Sequence, residues 1–446
     1  MTKTELYMQE INRVANKEIP EAVLARARQS LLDYLAVTCA GQRFQQDKLK
    51  KYFDFVNPEQ GRFTAIGTKK KLAFKEAVFL NGLNGHALDF DDGTNSGIIH
   101  LGSPIFSLLL PYAQLYDISI DKLLRAAVIG YESSYTMAVS IQPGHKALGY
   151  HATGTCGVLG AVIAASYMLD FTEETRFQAL AAACVSASGM LMVLDDGSEL
   201  KPYNVAKSSL LAATSLQLAQ AGFKGHPDPI GHSRGFLKMM TGRDDVELKS
   251  TLLNGTYAIQ KSYTKPYASC RYTHPSVEAA INLRNQYGIK SEDVERIDIR
   301  TYSLAVAGHD HTEIPGSYSA KMSIPYSTAV GLIFGKAGLQ EFSEEKVQDP
   351  EILALAQKVH VSADEKLSAA FPAKQTAVVS IQTKEQFVEQ VDFPKGEPEN
   401  PLTDEEFRTR YDGLMAYAGV NTTFSAQVFD MVYQDGAKAS DILQLL

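Results

Sequence analysis

The stretch Thr153-Gly-Thr-Cys-Gly-Val-Leu-Gly-Ala-Val-Ile-Ala-Ala-Ser-Tyr-Met-Leu169 contains no charged side chain and consists largely of small residues. Wound at 3.6 residues per turn, it presents apolar or small groups on every face, so it must pack on all sides inside a thick helical bundle. The same spacing of three and four recurs on both sides of it. Val23, Ala27, Leu31 and Leu35 form one apolar stripe, and comparable stretches cover about residues 74–88, 103–117, 121–141, 173–193 and 202–221. From Pro20 to roughly residue 220 the chain therefore reads as successive helices.

After about residue 265 the period shortens to two. Val294-Glu-Arg-Ile-Asp-Ile-Arg-Thr301, Lys358-Val-His-Val361 and Thr376-Ala-Val-Val-Ser-Ile-Gln-Thr383 alternate as strands do, and Gln386-Phe-Val-Glu-Gln-Val-Asp-Phe393 follows across a short polar turn, which predicts a hairpin. A smaller α+β unit is expected here. Beyond the polar run Pro394-Lys-Gly-Glu-Pro-Glu-Asn-Pro401, Thr403 and Glu406 have capping-box spacing, and Phe407, Tyr411, Leu414 and Ala418 line one face of a returning helix.

A chain of 446 residues suits one large or two ordinary domains with a deep core. Its 45% apolar and 21% charged residues exclude a disordered or fibrous protein. Lysine and arginine total 43 against 51 acids, a net charge of −8 without a basic tract, which argues against nucleic-acid or anionic-membrane partners and for a small ligand. The four cysteines, Cys39, Cys156, Cys184 and Cys270, form no CxxC pair and fit a reducing compartment. No signal-peptide pattern and no uncharged apolar run of about 18 residues is present, so a cytoplasmic location is expected.

The densest polar cluster runs His86-Ala-Leu-Asp89-Phe-Asp91-Asp92-Gly-Thr94, continuing to His100-Leu-Gly-Ser103, from the end of one apolar helix to the start of the next. Three aspartates within four residues repel one another unless something compensates. One reading is a solvated, helix-capping turn. Another is a Mg²⁺ site, aided by the second acidic run Asp195-Asp196-Gly-Ser-Glu199. Among the ten histidines, His100, His145, His151 and His274 lie in small-residue loops, and none has HxxxH or HExxH spacing, so zinc is not favoured and no metal is assigned. With Asp89 and Lys201 of Lys201-Pro-Tyr-Asn204, or the competing Lys207, they suggest a pocket that moves protons and binds carboxylates. GxGxxG, GxxxxGK[ST] and GxSxG patterns are missing, which removes the main support for dehydrogenase, NTPase and α/β-hydrolase readings. The residues by themselves name no substrate.

Taken in order, His86-Ala-Leu-Asp89-Phe-Asp91-Asp92, a histidine some ten residues on, Gly149-Tyr-His151-Ala-Thr-Gly-Thr, the Lys201-Pro202 pair, Lys265-Pro-Tyr-Ala-Ser-Cys270-Arg271-Tyr-Thr-His274-Pro and Ala320-Lys-Met-Ser-Ile-Pro-Tyr326 resemble the MmgE/PrpD family, from about residue 20 to 415. The family includes 2-methylcitrate dehydratase, cis-aconitate decarboxylase and iminodisuccinate epimerase. The resemblance implies a mainly α fold: a large all-helical domain, residues 1–265 plus 397–446, with an inserted smaller α+β lid domain, residues 266–396. It also implies a homodimer and a site at the domain interface that needs no cofactor and no metal. Position by position, Asp89, His100, His151, Lys201 and His274 are similar to the family's catalytic residues. Thr94 is similar to its threonine, and Cys270 and Arg271 are alternatives to His274. The family's His-Pro-Ser is replaced here by His100-Leu-Gly-Ser103, with one extra residue after Asp89.

The implied activity is a lyase on a small di- or tricarboxylate, by dehydration or decarboxylation next to a carboxylate. Lys201 and His274 would bind carboxylate and stabilise developing charge, His100 and His151 would transfer protons in either order, and Asp89 would orient a histidine or act as the base. The alternatives are an epimerase or racemase of a dicarboxylate in the same family, a Mg²⁺-dependent diphosphate lyase using the acidic runs, and a binding protein without turnover.

Overall fold

A Thr2–Glu5 capping box starts the first helix, α1 (Lys3–Ala15). The computed structural model describes residues 1–194, 198–252 and 255–446. After α1 come α2 (Glu21–Phe44), α3 (Gln46–Val56), strands β1 (Gln60–Thr64) and β2 (Lys71–Leu72), and then α4 (Phe74–His86), α5 (Gly102–Leu115) and α6 (Ile120–Ile141). Two single-turn helices, α7 (Gly144–Ala147) and α8 (Ala152–Thr155), lead into α9 (Gly157–Met168), α10 (Glu173–Ser186), α11 (Lys201–Gln220) and α12 (Phe236–Thr241).

The chain forms two compact units. The first comprises Met1–Val193, Leu200–Ser262 and Glu405–Leu446, the second Leu194–Glu199 and Tyr263–Asp404. In the first, α9 is the centre: all its residues except Tyr167 are buried, and α5, α6, α10 and α11 pack around it. A methyl group on Gly160 would lie 1.8 Å from Ser134 Oγ and 2.7 Å from Gly130 O, so α6 and α9 meet at a distance only glycine allows.

Three sequence expectations are corrected. The first unit is not all-helical, because β1 and β2 pair as a small antiparallel ribbon. The segment expected as one helix over 153–169 is broken at Cys156 into α8 and α9. The helix expected over 173–193 ends at Ser186, since the chain turns extended at Ala187 to pair with the loop before α8: His151 N donates to Gly189 O at 3.0 Å and Leu191 N to Gly149 O at 2.7 Å. Pairing with a distant segment there outweighs the local helical pattern.

The second unit holds α13 (His274–Tyr287), β3 (Arg296–Thr301), α14 (Ser303–Val306), α15 (Ser317–Met322), α16 (Ile324–Phe334), α17 (Pro350–Ala356), β4 (Val359–Ala363), α18 (Glu365–Ala370), β5 (Ala377–Gln382) and β6 (Gln386–Val391). Its four-stranded sheet has the order β4-β3-β5-β6, with β3 and β4 parallel and the other pairs antiparallel. Ile297 lies opposite Ile381 and Ile299 opposite Val379, all buried on the face that the alternation predicts, while α13 packs on β5 and β6. The chain then returns as α19 (Asp404–Tyr417), α20 (Thr422–Tyr433) and α21 (Ala439–Gln444). Phe407, Tyr411 and Leu414 are buried as their spacing requires. No helix among the described residues is long and apolar enough to cross a membrane.

Candidate active site

His86 is the last residue of α4, and the chain leaves that helix through Asp89, whose φ of +50° lies in the left-handed region. This reversal sends the following aspartates in different directions. All three are buried, at 5% exposure for Asp89, 2% for Asp91 and 4% for Asp92, which removes the solvated-turn reading. Each has its own compensation. Asp89 Oδ1 accepts from Lys201 Nζ at 2.7 Å. Asp91 accepts from His86 Nδ1 and from Ser103 Oγ, both at 2.8 Å. Asp92 accepts from Tyr131 OH at 2.7 Å and from the Gly102 N–H at 2.9 Å. The loop is braced from the returning chain, where Arg410 donates to Phe90 O at 2.7 Å, stacks over the Phe90 ring and pairs with the buried Asp33 at 2.8 Å.

The same cluster contains His100 and His151. The His100 ring lies 4.5 Å from that of His86, and His151 lies 6.3 Å from His86. His100 Nδ1 is 2.8 Å from Asp92 O, and a carbonyl only accepts, so the proton sits on Nδ1 and the lone pair on Nε2. His100 Nε2 faces Asp89 Oδ1 at 3.7 Å. His151 has the opposite tautomer. Its Nδ1 accepts from Asn204 Nδ2 at 3.2 Å, and the amide cannot be reversed because Lys207 Nζ faces Asn204 Oδ1 at 3.3 Å while Met190 O accepts from Nδ2 at 3.3 Å. His151 therefore carries its proton on Nε2. Burial, reinforced by the Lys201 charge, holds His151 well below the usual imidazole range, so it is neutral at pH 7.

Burial likewise lowers His86 to about 4, against the pull of Asp91. Burial alone would raise Asp91, but the neighbouring His86 and His100 hold it well below the usual carboxylate range. Burial raises Asp92, with Tyr131 and the Gly102 N–H pulling the other way. His86 supplies a stability test. Between pH 6.5 and about 4 the unfolded chain binds a proton at this residue and the folded chain does not, so stability falls as pH falls through that window, by about 3 kcal/mol. His86→Asn should flatten the acid limb of urea stability by that amount, and equal slopes in variant and wild type would contradict the assignment.

Of the residues singled out in the sequence, Asp89, His100, His151 and Lys201 are brought together, and Lys207 reaches the group through Asn204. Thr94 instead closes the 94–99 loop in a bridge with Ile99, its hydroxyl buried without a hydrogen-bond partner among the described residues. His145 is tied to Met240 O and to Thr155 Oγ1, each at 2.8 Å, and serves packing. Asp195 and Asp196 lie outside the described residues. Sequence reasoning quoted His86, Asp91 and Asp92 in the polar cluster without giving any of them a catalytic role, and it missed Tyr131 and Asn204. For Asn204 a signal existed: with Lys201 and Lys207 it recurs every third residue of α11, on one helix face.

The α+β unit holds the other candidates. Arg271 Nε donates to Glu397 Oε1 at 2.8 Å and Arg271 Nη1 to His274 Nδ1 at 2.7 Å, while His274 Nε2 donates to Ser269 O at 3.2 Å. Both ring nitrogens of His274 are thus engaged, and the ring orients the guanidinium. The Cys270 N–H donates to Lys321 O at 2.8 Å.

Among the described residues, His86, Asp89, Asp91 and His100 bring potential ligand atoms within 4.8 Å of one another, close enough to hold a cation. The ammonium of Lys201 already stands on Asp89, and both histidine Nδ1 protons are committed to oxygen acceptors. The positive charge of this cluster is built into the chain, so the residues fit proton transfer better than divalent-cation binding.

Comparison with known proteins gives a consistent result. The model for the MmgE/PrpD N-terminal domain matches residues 9–249, and that for the MmgE/PrpD C-terminal domain matches residues 267–425. The chain is 26% identical over 433 residues to a cis-aconitate decarboxylase from Aspergillus terreus, covering 90% of this chain and 87% of that one. It is 22% identical over 427 residues to the cis-aconitate decarboxylase of Mus musculus, covering 92% and 86%. To 2-methylcitrate dehydratase of Escherichia coli strain K12 it is 22% identical over 263 residues, covering 55% and 52%.

Proposed function

The chain belongs to the MmgE/PrpD family, and from that premise we propose that it is a lyase of small di- or tricarboxylates whose own side chains supply the chemistry. The observation that carries this reading is the opposite tautomers of His100 and His151 beside the buried Lys201–Asp89 pair. One ring offers a lone pair at Nε2 and the other a proton at Nε2, the two functions needed next to a carboxylate.

In dehydration, His100 Nε2 takes the proton from the carbon adjacent to a carboxylate, and His151 Nε2–H delivers one to the departing hydroxyl, which leaves as water; the neutral His151 ring is left as an imidazolate that the Lys201 charge stabilises, and it regains a proton as His100 gives its own up. In decarboxylation, the bond to CO₂ breaks, the electron pair passes to the carbon skeleton, a single proton from His151 quenches it, and solvent returns that proton to the ring. Lys201 stabilises the enolate-like charge in both cases. In the α+β unit, Arg271 and His274 are the carboxylate-binding candidates, the first already paired with Glu397 and the second held by Ser269 O. Homology to the decarboxylases over nearly the full chain makes cis-aconitate the first substrate to test and 2-methylcitrate the second.

Free thiols at all four cysteines support a reducing compartment, the cytoplasm. Val185, Met192, Leu200 and Tyr203, exposed at 87%, 67%, 61% and 48%, lie on or next to the segment joining α10 to α11 and support a homodimer that would cover them. The test is mass spectrometry of small polycarboxylates incubated with EDTA-treated protein in H₂O and, in parallel, in D₂O, with the association state followed by sedimentation. Loss of 44 mass units marks decarboxylation and loss of 18 dehydration. Deuterium uptake without mass loss would replace the lyase by an epimerase. Activity lost to EDTA and restored by Mg²⁺ would return the diphosphate-lyase reading.

A further inference from the structure

Behind the reacting edge of His100 lies a carboxylate that the sequence reading left without a role. Asp91 is buried, and each of its oxygens has a fixed donor: Oδ2 accepts from Ser103 Oγ at the start of α5, and Oδ1 from His86 Nδ1 at the end of α4, both at 2.8 Å. The same Oδ1 lies 3.4 Å from His100 Nδ1. One carboxylate oxygen is therefore flanked by the Nδ1 atoms of two imidazoles whose rings meet edge to face.

We propose that Asp91, not Asp89, is the carboxylate that positions His100 as the base, held in place by His86 and Ser103. The proposal rests on the lyase reading above and deepens it. Asp89 stands on the opposite side of the ring, 3.7 Å from Nε2, with its charge answered by Lys201. Asp91 faces the Nδ1 edge, where positive charge appears once Nε2 has taken a proton. The Nδ1 proton itself is donated to Asp92 O, so the carbonyl fixes the tautomer and Asp91 supplies the charge.

His86 makes this arrangement work by remaining neutral. A protonated His86 would cancel the Asp91 charge, whereas a neutral one donates a hydrogen bond and leaves that charge for His100. Its Nε2 is buried without a hydrogen-bond partner among the described residues, so no acceptor there favours a second proton. The other charged or titratable groups around His100 are Asp89, Asp92, His151 and Lys201, and those acting on the aspartate pair from outside are Asp33, Arg410 and Arg26. None of them replaces Asp91 at the Nδ1 edge.

The test is Asp91→Asn, compared with His86→Asn, Ser103→Ala and wild type. With a substrate found by the mass-loss screen, Asp91→Asn should lower kcat by about 10²-fold or more, the order of effect seen when a histidine base loses its carboxylate, with KM within threefold. The acid limb of its pH–rate profile should move to lower pH, because the protonated ring has lost its stabilising charge. His86→Asn keeps a donor to Asp91, since an asparagine amide nitrogen sits where Nδ1 did, and should retain kcat within tenfold. A folded Asp91→Asn protein with kcat within threefold of wild type and an unmoved acid limb overturns the proposal.

If Asp91→Asn does not fold, Ser103→Ala decides: a reduced kcat at constant KM supports the role, and unchanged kcat with lowered stability refutes it. Histidine ¹⁵N NMR separates this proposal from the lyase reading, because it needs no substrate. A lower titration midpoint for the His100 ring in Asp91→Asn than in wild type supports the positioning role even where no polycarboxylate turns over. An unmoved midpoint in an active enzyme sinks the positioning role alone.

Discussion

His151→Gln should abolish most turnover, with kcat falling by about 10²–10⁴-fold, while a non-reacting polycarboxylate still binds within threefold of wild type. Glutamine places an amide N–H near the position of Nε2–H, so the hydrogen bond to a ligand survives but the transferable proton does not. The loss therefore falls on the transition state and not on binding. His100→Gln divides the two lyase chemistries. Dehydration takes a proton from carbon and gives one to the hydroxyl, so it needs both rings and should suffer equally from either change. Decarboxylation needs only the delivered proton, so His100→Gln should cost at least tenfold less than His151→Gln. If the two histidines only satisfy neighbouring groups, the pattern reverses: stability falls by about 1–3 kcal/mol and kcat stays near wild type. Measuring kcat, ligand affinity and thermal midpoint on both variants separates these outcomes, and kcat within threefold of wild type for both would remove proton transfer from this cluster.

Much of this arrangement is legible in the sequence, for reasons tied to period. The small-residue pattern of 153–169 places α9 at the centre of a bundle because no surface suits a helix without a polar face, and the two-residue alternation at 376–393 yields the hairpin of β5 and β6. What period cannot show is where a pattern is overruled by a distant partner. Residues 187–193 continue the helical spacing of α10, yet Gly189 and Leu191 give up helical hydrogen bonds to pair with 149–151, which places His151 at the edge of the cluster.

The division of labour among the aspartates is illegible for a related reason. Asp89, Asp91 and Asp92 look alike in sequence, and counting residues gives no basis for assigning them. A positive φ at Asp89 decides it, since that one dihedral sends Asp89 to α11, Asp91 to α4 and α5, and Asp92 to Tyr131 in α6. His86 was hidden because a histidine on an apolar helix is ordinarily packing. Its ring becomes informative only when Asp91 is seen on one nitrogen and no partner among the described residues on the other.

Lys201→Met should lower kcat/KM by about 10²–10³-fold and also destabilise the protein, two effects that a second substitution separates. Lys201 and Asp89 are both buried, with side-chain exposures of 11% and 7%, and their contact is 2.7 Å. Removing one charge from such a pair leaves the other unanswered, at a cost of about 3–5 kcal/mol, whereas replacing both charges with neutral groups is often close to neutral. Lys201→Met alone should therefore lower the urea midpoint strongly, and Asp89→Asn added to it should recover much of that loss. Turnover should not recover, because the ammonium is needed for a charge that exists only while substrate reacts. Lys207→Met is the control. Lys207 is half-buried and 3.3 Å from the Asn204 carbonyl oxygen, so it acts on His151 only through an amide, and kcat should stay within tenfold of wild type. Stability and turnover recovering together in the double variant would mean that the lysine only folds the protein. A Lys207→Met variant as impaired as Lys201→Met would make Lys207 the lysine that meets the substrate.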